Sequence, residues 1–340
     1  WGPGLGVYVR SGFPGKWGMS ATRNLRFTSR ITSVSGNTIG LATPIPIGLS
    51  GALNPRAYPL RNAPPTSLCG VEDLTVVGGS GTDRAVSWWG ADRCWVTRVE
   101  AININGGHGA IYIEDGFQCE LRRCYIHDGP DYPSQADGYG LLLYYGCSSC
   151  LLEDNVTYRL GCGIVMNGAS ANAILYNYDL LSHRSNHPWV DQALISNHGP
   201  HGVMNLYEGN VVARFQNDGY HGSKSHDTVF RNHVTGVRAG ATNPRRVIDL
   251  CRGSYYHNVM GNVLGDPSWG ASYYDFPLGG TSIACIYILG FPGMDSVTMN
   301  AFTSVPWVNW TKPTDRPDAD VAGTLLRHGN YDYFNRDTVW

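Results

Sequence analysis

The chain has 340 residues, of which only 15% are charged, against roughly 25% in an ordinary soluble domain. With a formal net charge of −2 and three lysines, Lys16, Lys224 and Lys312, it lacks the charge that disordered segments and nucleic-acid-coating surfaces need. No apolar stretch reaches the roughly 20 residues of a membrane-spanning helix, and the 43 glycines, with abundant Asn, Tyr, Val and Ser, favour strands and tight bends.

Residues 1–66 are rich in Gly and Pro and contain Ile31-Thr-Ser-Val-Ser-Gly-Asn-Thr-Ile-Gly-Leu, which predicts a hairpin around Ser35-Gly36-Asn37. From 67 to 270 a repeat takes over: a short apolar strand, an Asn or small residue, another apolar position, then Gly. It is visible in Cys94-Trp-Val-Thr-Arg-Val, Cys119-Glu-Leu-Arg-Arg-Cys-Tyr-Ile, Cys150-Leu-Leu-Glu-Asp-Asn-Val, Leu206-Tyr-Glu-Gly-Asn-Val, Thr228-Val-Phe-Arg-Asn-His-Val and Asn258-Val-Met-Gly-Asn-Val. The recurring asparagines are Asn155, Asn177, Asn210, Asn232 and Asn262, separated by 22, 33, 22 and 30 residues. A 22-residue unit of short strands cannot bury its own apolar face, so successive units stack as a coil around one core. An Asn at the same place in each unit satisfies backbone groups at a bend and bonds to its neighbour along the axis. Beyond 270 the period blurs, although 324–340 reads as one more turn. The Gly/Pro-rich segment is expected to cap the coil's open end, where strand edges would otherwise be unpaired.

With this repeat, the sequence resembles the right-handed parallel β-helix proteins of the pectate-lyase-like superfamily. The resemblance implies an all-β solenoid with turns of about 22 residues, divided into an N-terminal cap (1–66), the helix turns (67–270), and terminal turns and loops (271–340). Low charge and plentiful Tyr and Trp suggest an extracellular or cell-surface protein. The chain opens at Trp1 without a visible signal peptide and stops at Trp340 without polar closing residues, so it reads as a trimmed segment that continues beyond 340. Nine cysteines is an odd number, and Cys94, Cys119 and Cys150 open equivalent strands. A stacked ladder of small apolar side chains accounts for them better than disulfides between turns.

Three insertions interrupt the period: His127–Pro133, His183–Trp189 and 238–246. Each leaves the coil four to six residues after the ladder position, so they form a wall on one corner, with Tyr132, Arg184, His187, Trp189 and Arg245 as ligand-binding candidates. Once the insertions are subtracted, His198, His201, Asp218, Tyr220, His221, Lys224 and Arg252 fall on neighbouring strands. A polar groove flanked by aromatic rings suits a polysaccharide.

Lys224-Ser225-His226 through Asn232 looks like the Lys-Ser-Ser strand of the β-helical alginate and chondroitin lyases, with Arg252-Gly253 in the place of the partner arginine one turn on. That resemblance implies β-elimination on a uronate glycan, with Lys224 as base, Arg252 neutralising the carboxylate, and His221 assisting. Calcium is compatible with it, although only Asn217 and Asp218 stand where that family places its acidic ligands. The residues leave two alternatives open. One is a non-catalytic adhesive or filament-forming module that binds glycans or self-associates. The other is a glycoside hydrolase using two of Asp128, Asp137, Asp191, Asp218 and Asp249. A metal site from His198, His201, His221 and His226 is disfavoured, since strand residues three or five apart face opposite ways.

Overall fold

A computed structural model describes residues 5–9, 25–48, 55–59, 65–79, 81–105, 107–130, 132–133, 138–183, 192–217, 224–237, 246–251, 253–268, 271, 273–275, 284–290 and 318–340. The molecule is all-β, apart from one described helix, Ala319–Thr324, capped by the Asp318 side chain. Strands stack in parallel. Glu120–Arg122 pairs with Leu151–Glu153, which pairs in turn with Ala173–Leu175, Leu206–Glu208, Thr228–Phe230, Asn258–Met260 and Leu326–His328. A second column begins a few residues later, running Tyr125–His127, Val156–Tyr158, Tyr178–Leu180, Val211–Val212, His233–Val234, Val263–Leu264 and Asn330–Asp332. The chain then crosses to a sheet of nine described strands, which it enters at Val86–Trp89 and leaves at Cys285–Leu289 and Tyr273–Asp275. The result is a β-helix-like coil.

The two kinds of sheet read differently in sequence for a physical reason. In the first column one inward residue per strand is buried between half-exposed neighbours, as in Leu152, Ile174, Tyr207 and Val229. The middle strands of the nine-stranded sheet are buried on both faces, as in Leu141-Leu142-Leu143 and Ile164-Val165-Met166. Their apolar runs are therefore continuous.

Asparagines hold the bends. Asn155, Asn177, Asn210, Asn232, Asn262 and Asn330 form one ladder. In each step the Oδ1 of the later residue accepts the backbone N–H and the side-chain amide of the earlier one, at 2.9–3.1 Å. Each amide also donates to a carbonyl in the preceding turn; Asn210 Nδ2, for example, donates to Ile174 O at 2.9 Å. The residue before each ladder position, and before Cys124, whose N–H donates to Asn155 Oδ1, has left-handed backbone: Arg123, Asp154, Tyr176, Gly209, Arg231, Gly261 and Gly329. For a non-glycine residue that conformation costs about 1–2 kcal/mol, and the two or three amide bonds at the next residue offset it.

The sequence reading found this ladder and, of a second, only the cysteines Cys94, Cys119 and Cys150, missing its polar continuation. Cys150 N donates to Asn172 Oδ1, Asn172 to Asn205 Oδ1, and Asn205 to Asp227 Oδ1. Cys94 and Cys119 continue the same column towards the N-terminus, and left-handed Arg93, Gln118, Ser149, Ala171, Met204, His226 and Tyr256 precede its members. All nine cysteines are free, and all except Cys69 are buried, as a packed ladder requires.

The expected hairpin forms between Ile31–Ser35 and Thr38–Leu41. The N-terminal segment lies along a corner of the coil. Thr28 N donates to Gly146 O, Ser148 Oγ donates to Thr28 O, and Arg30 pairs with Asp92 at 2.7 Å while its guanidinium stands over the Phe117 ring. These contacts clamp the flank of several turns, a placement the expectation of an end cap did not include.

Adjacent residues of the second ladder should respond in opposite ways. Asn205→Ala strips Asn172 of its acceptor and should cost about 3 kcal/mol or more. Met204→Gly, at an exposed left-handed position, should change stability by less than about 1 kcal/mol. Urea unfolding of both variants checks this.

Candidate functional site

Lys224 begins the short strand Lys224–Ser225, which pairs with Gly202–Val203. This lies at the corner where the chain leaves the nine-stranded sheet. The three insertions follow Tyr125–His127, Tyr178–Leu180 and His233–Val234, at the corner where the chain enters that sheet. Lys224 therefore stands at a different corner from the strands that lead into the insertions. Its side chain runs into the coil and has no exposure. Nζ donates to Ser196 O and to Tyr207 Oη, the latter at 2.7 Å, and pairs with Asp227 Oδ2 at 3.0 Å. Burial pushes the Lys224 ammonium down from its usual range against the pull of Asp227, and pushes the Asp227 carboxyl up.

The ladder explains this pair. Asp227 occupies an asparagine position, so one oxygen serves Asn205 and the other carries a charge that asparagine would not have. Lys224 neutralises it. One turn on, His257 takes the same position. Its Nε2 lies 3.3 Å from Lys224 O, where Asn205 Nδ2 in its own turn donates to Ala169 O. Nε2 is therefore the protonated nitrogen of a neutral ring, and burial lowers the imidazole to about 3.

The same corner holds a cluster that the sequence reading did not assemble. Ser225 Oγ lies 2.7 Å from His201 Nε2 and 2.8 Å from His226 Nδ1. His201 is buried and lowered to about 3 by burial first, with the His257, Lys224 and His226 charges adding to it. His226 is exposed and stacks on Tyr256 at 5.0 Å. The spacing of Ser148, Ser170 and Ser225, one bend residue in each of three turns, was the available signal. His198 is half-buried near Tyr139, and its N–H donates to Met166 O. Of the predicted group, Lys224 and His201 come close together. Asp218, Tyr220, His221 and Arg252 lie outside the described residues.

At the loop corner stands Tyr132. Its hydroxyl bonds Leu181 O at 2.6 Å and His183 Nδ1 at 2.7 Å, which ties the first insertion to the second. The Arg159 guanidinium stands over the Tyr132 ring at 5.3 Å and pairs with Asp128. Beside it the outer face of the second column carries two rows in register, Tyr125, Val156, Tyr178 and His127, Tyr158, Leu180. Tyr125 stacks on His127 at 3.9 Å, and Tyr125 and Tyr178 are 37% and 41% exposed. Arg184, His187, Trp189 and Arg245 lie outside the described residues. Of the carboxylates weighed for hydrolysis, Asp249 has no exposure and binds Arg214, so a substrate cannot reach it. Asp128 is bound to His127 and Arg159, and Asp137, Asp191 and Asp218 are not among the described residues. No three His, Cys, Asp or Glu side chains converge as a metal site among the described residues.

No family model matches the chain, and no curated protein matches it in sequence. Among solved structures it is similar to the tailspike protein gp49 from Pseudomonas phage LKA1, with a TM-score of 0.48 and 11% identity over 77% of this chain. The matched region covers 42% of that protein.

Two stability predictions follow from the interior cluster. Lys224→Met leaves Asp227 buried without a counter-ion and should cost about 3–5 kcal/mol, whereas Lys224→Met with Asp227→Asn, which restores a neutral ladder, should recover most of that loss; denaturant unfolding compares them. For pH, the His257 ring is neutral in the folded coil, while an unfolded imidazole takes its proton near 6.5. Its contribution to stability is whole above pH 6.5 and is lost as pH falls from there towards 3. His257→Asn keeps an amide donor without the titration, so it should flatten this acid slope by up to about 1.4 kcal/mol per pH unit, read from unfolding curves across that range.

Proposed function

We propose that the chain is an extracellular right-handed parallel β-helix of the pectate-lyase-like kind that engages a polysaccharide along the outer face of its second strand column. The single observation that carries this reading is the in-register surface formed by exposed Tyr125 and Tyr178 and half-buried Tyr158, with His127 buried beneath Tyr125, bordered by Tyr132 and Arg159. Aromatic faces bind the apolar side of sugar rings at low entropic cost, and the neighbouring Arg159 and Asp128 supply charged hydrogen-bonding groups for hydroxyls or carboxylates. Parallel stacking repeats the surface along the axis, which suits a chain-like ligand.

This reading places binding ahead of β-elimination. For Lys224 to act as the base, its Nζ would have to leave Asp227 and Tyr207 and cross the wall of the coil, abandoning a buried carboxylate. Affinity electrophoresis against a panel of neutral and uronate polysaccharides tests the binding. At least one polysaccharide should retard the protein, and Tyr125→Ala or Tyr178→Ala should each weaken that binding roughly 3- to 10-fold, the worth of one aromatic contact. If no polysaccharide retards the chain, or if both tyrosine variants bind like the parent, the reading fails. The appearance of unsaturated uronate products that survive Lys224→Met with Asp227→Asn would place any lyase chemistry on other residues.

A further inference from the structure

Ser225 stands in a column of bend serines, and its hydroxyl is used differently from the others. Ser148 Oγ donates to the Thr28 carbonyl, and Ser170 Oγ accepts the Val203 N–H. Both are ordinary backbone-satisfying roles. The bonds of the Ser225 hydroxyl among the described residues go to two imidazole nitrogens, His201 Nε2 at 2.7 Å and His226 Nδ1 at 2.8 Å. A hydroxyl has one proton to give. One ring must therefore accept that proton while the other donates an N–H to the same oxygen.

The surroundings decide which ring does which. His201 is enclosed beside Lys224 and His257, where a second positive charge is disfavoured. It stays neutral, so its part is to donate Nε2–H to Oγ and hold that oxygen in place. His226 is exposed and stacked on Tyr256, so water can solvate the charge when it takes a proton. The arrangement is a nucleophile with a base on one side and an orienting donor on the other, all within hydrogen-bond reach. No carboxylate backs the base at His226 among the described contacts, which suits an activated acyl group such as an ester better than an amide.

We infer that Ser225 is the nucleophile, and His226 its general base, for hydrolysis of small acyl esters. Ser225 Oγ adds to the ester carbonyl carbon as its proton passes to His226 Nδ1. The tetrahedral intermediate collapses, the bond to the ester's alkoxy oxygen breaks, and His226 returns the proton to that oxygen as it leaves as an alcohol. A water molecule, deprotonated by His226, then adds to the acyl-serine, and collapse releases the carboxylic acid and restores the Ser225 hydroxyl. His201 is a positioning residue in this scheme.

The test uses the whole chain with p-nitrophenyl acetate as probe, and a fluorophosphonate that forms an adduct with activated serines. Turnover above the buffer rate should fall by about 10²- to 10⁴-fold in His226→Ala, an exposed change that leaves the coil folded. It should fall at least as far in Ser225→Ala, and the fluorophosphonate should map to Ser225 by peptide mass spectrometry. His201→Asn, which can still donate an N–H, should retain more activity than His201→Ala. Absence of turnover together with absence of an adduct on the unmodified chain overturns the inference, as does activity that survives His226→Ala. Either result leaves polysaccharide retardation untouched, so the two proposals fail separately.

Discussion

A coil of short parallel strands bends sharply in every turn, and each bend turns backbone N–H and C=O groups towards a dry interior. Those groups must be paired. The asparagine ladders meet the demand: one side-chain oxygen takes two N–H bonds from the turn before, and the amide returns one to a carbonyl. The left-handed residue before each amide, the half-exposed strands on either side and the stacking register all depend on that exchange. Packing of Leu152, Ile174, Val229 and their neighbours fills the space the ladder encloses.

The second ladder shows what happens when an amide is replaced. Cysteines occupy its first turns, asparagines its middle, and then Asp227 and His257 follow. Each replacement keeps part of the amide's hydrogen bonding and adds an acid–base property the amide lacks. Asp227 brings a charge, and Lys224 is drawn inside to meet it. His257 keeps the donor and remains neutral. The single lysine of the coil is therefore first a component of the bend. Beside it at this corner stand Ser225, which is buried, and His226, which is exposed.

The sequence revealed the parts governed by strict repetition. The first asparagine ladder, the buried cysteine column and the hairpin at Gly36-Asn37 could all be read from spacing. Spacing places a residue on a turn, but it does not say whether the side chain points in or out, and Lys224 shows the difference. Its scarcity and its resemblance to a lyase strand both drew attention to the residue, while the inward direction follows from Asp227 three positions on, at a ladder site. The second ladder stayed hidden because its members change type along the axis. The serine and histidine cluster stayed hidden because His201 and Ser225 meet only through parallel stacking across a 24-residue gap.

The left-handed residues Arg93, Gln118, Ser149, Ala171, Met204, His226 and Tyr256 share a backbone shape but almost nothing in chemistry. The ladder residues beside them carry the structural demand, so this column is released from it. It forms a row of sockets at strand spacing, about 4.8 Å apart, in which side chains can be exchanged one at a time while the scaffold stays constant. A coil built this way can acquire a new ligand or reaction by changing a single socket, with its stability held by the residue next door.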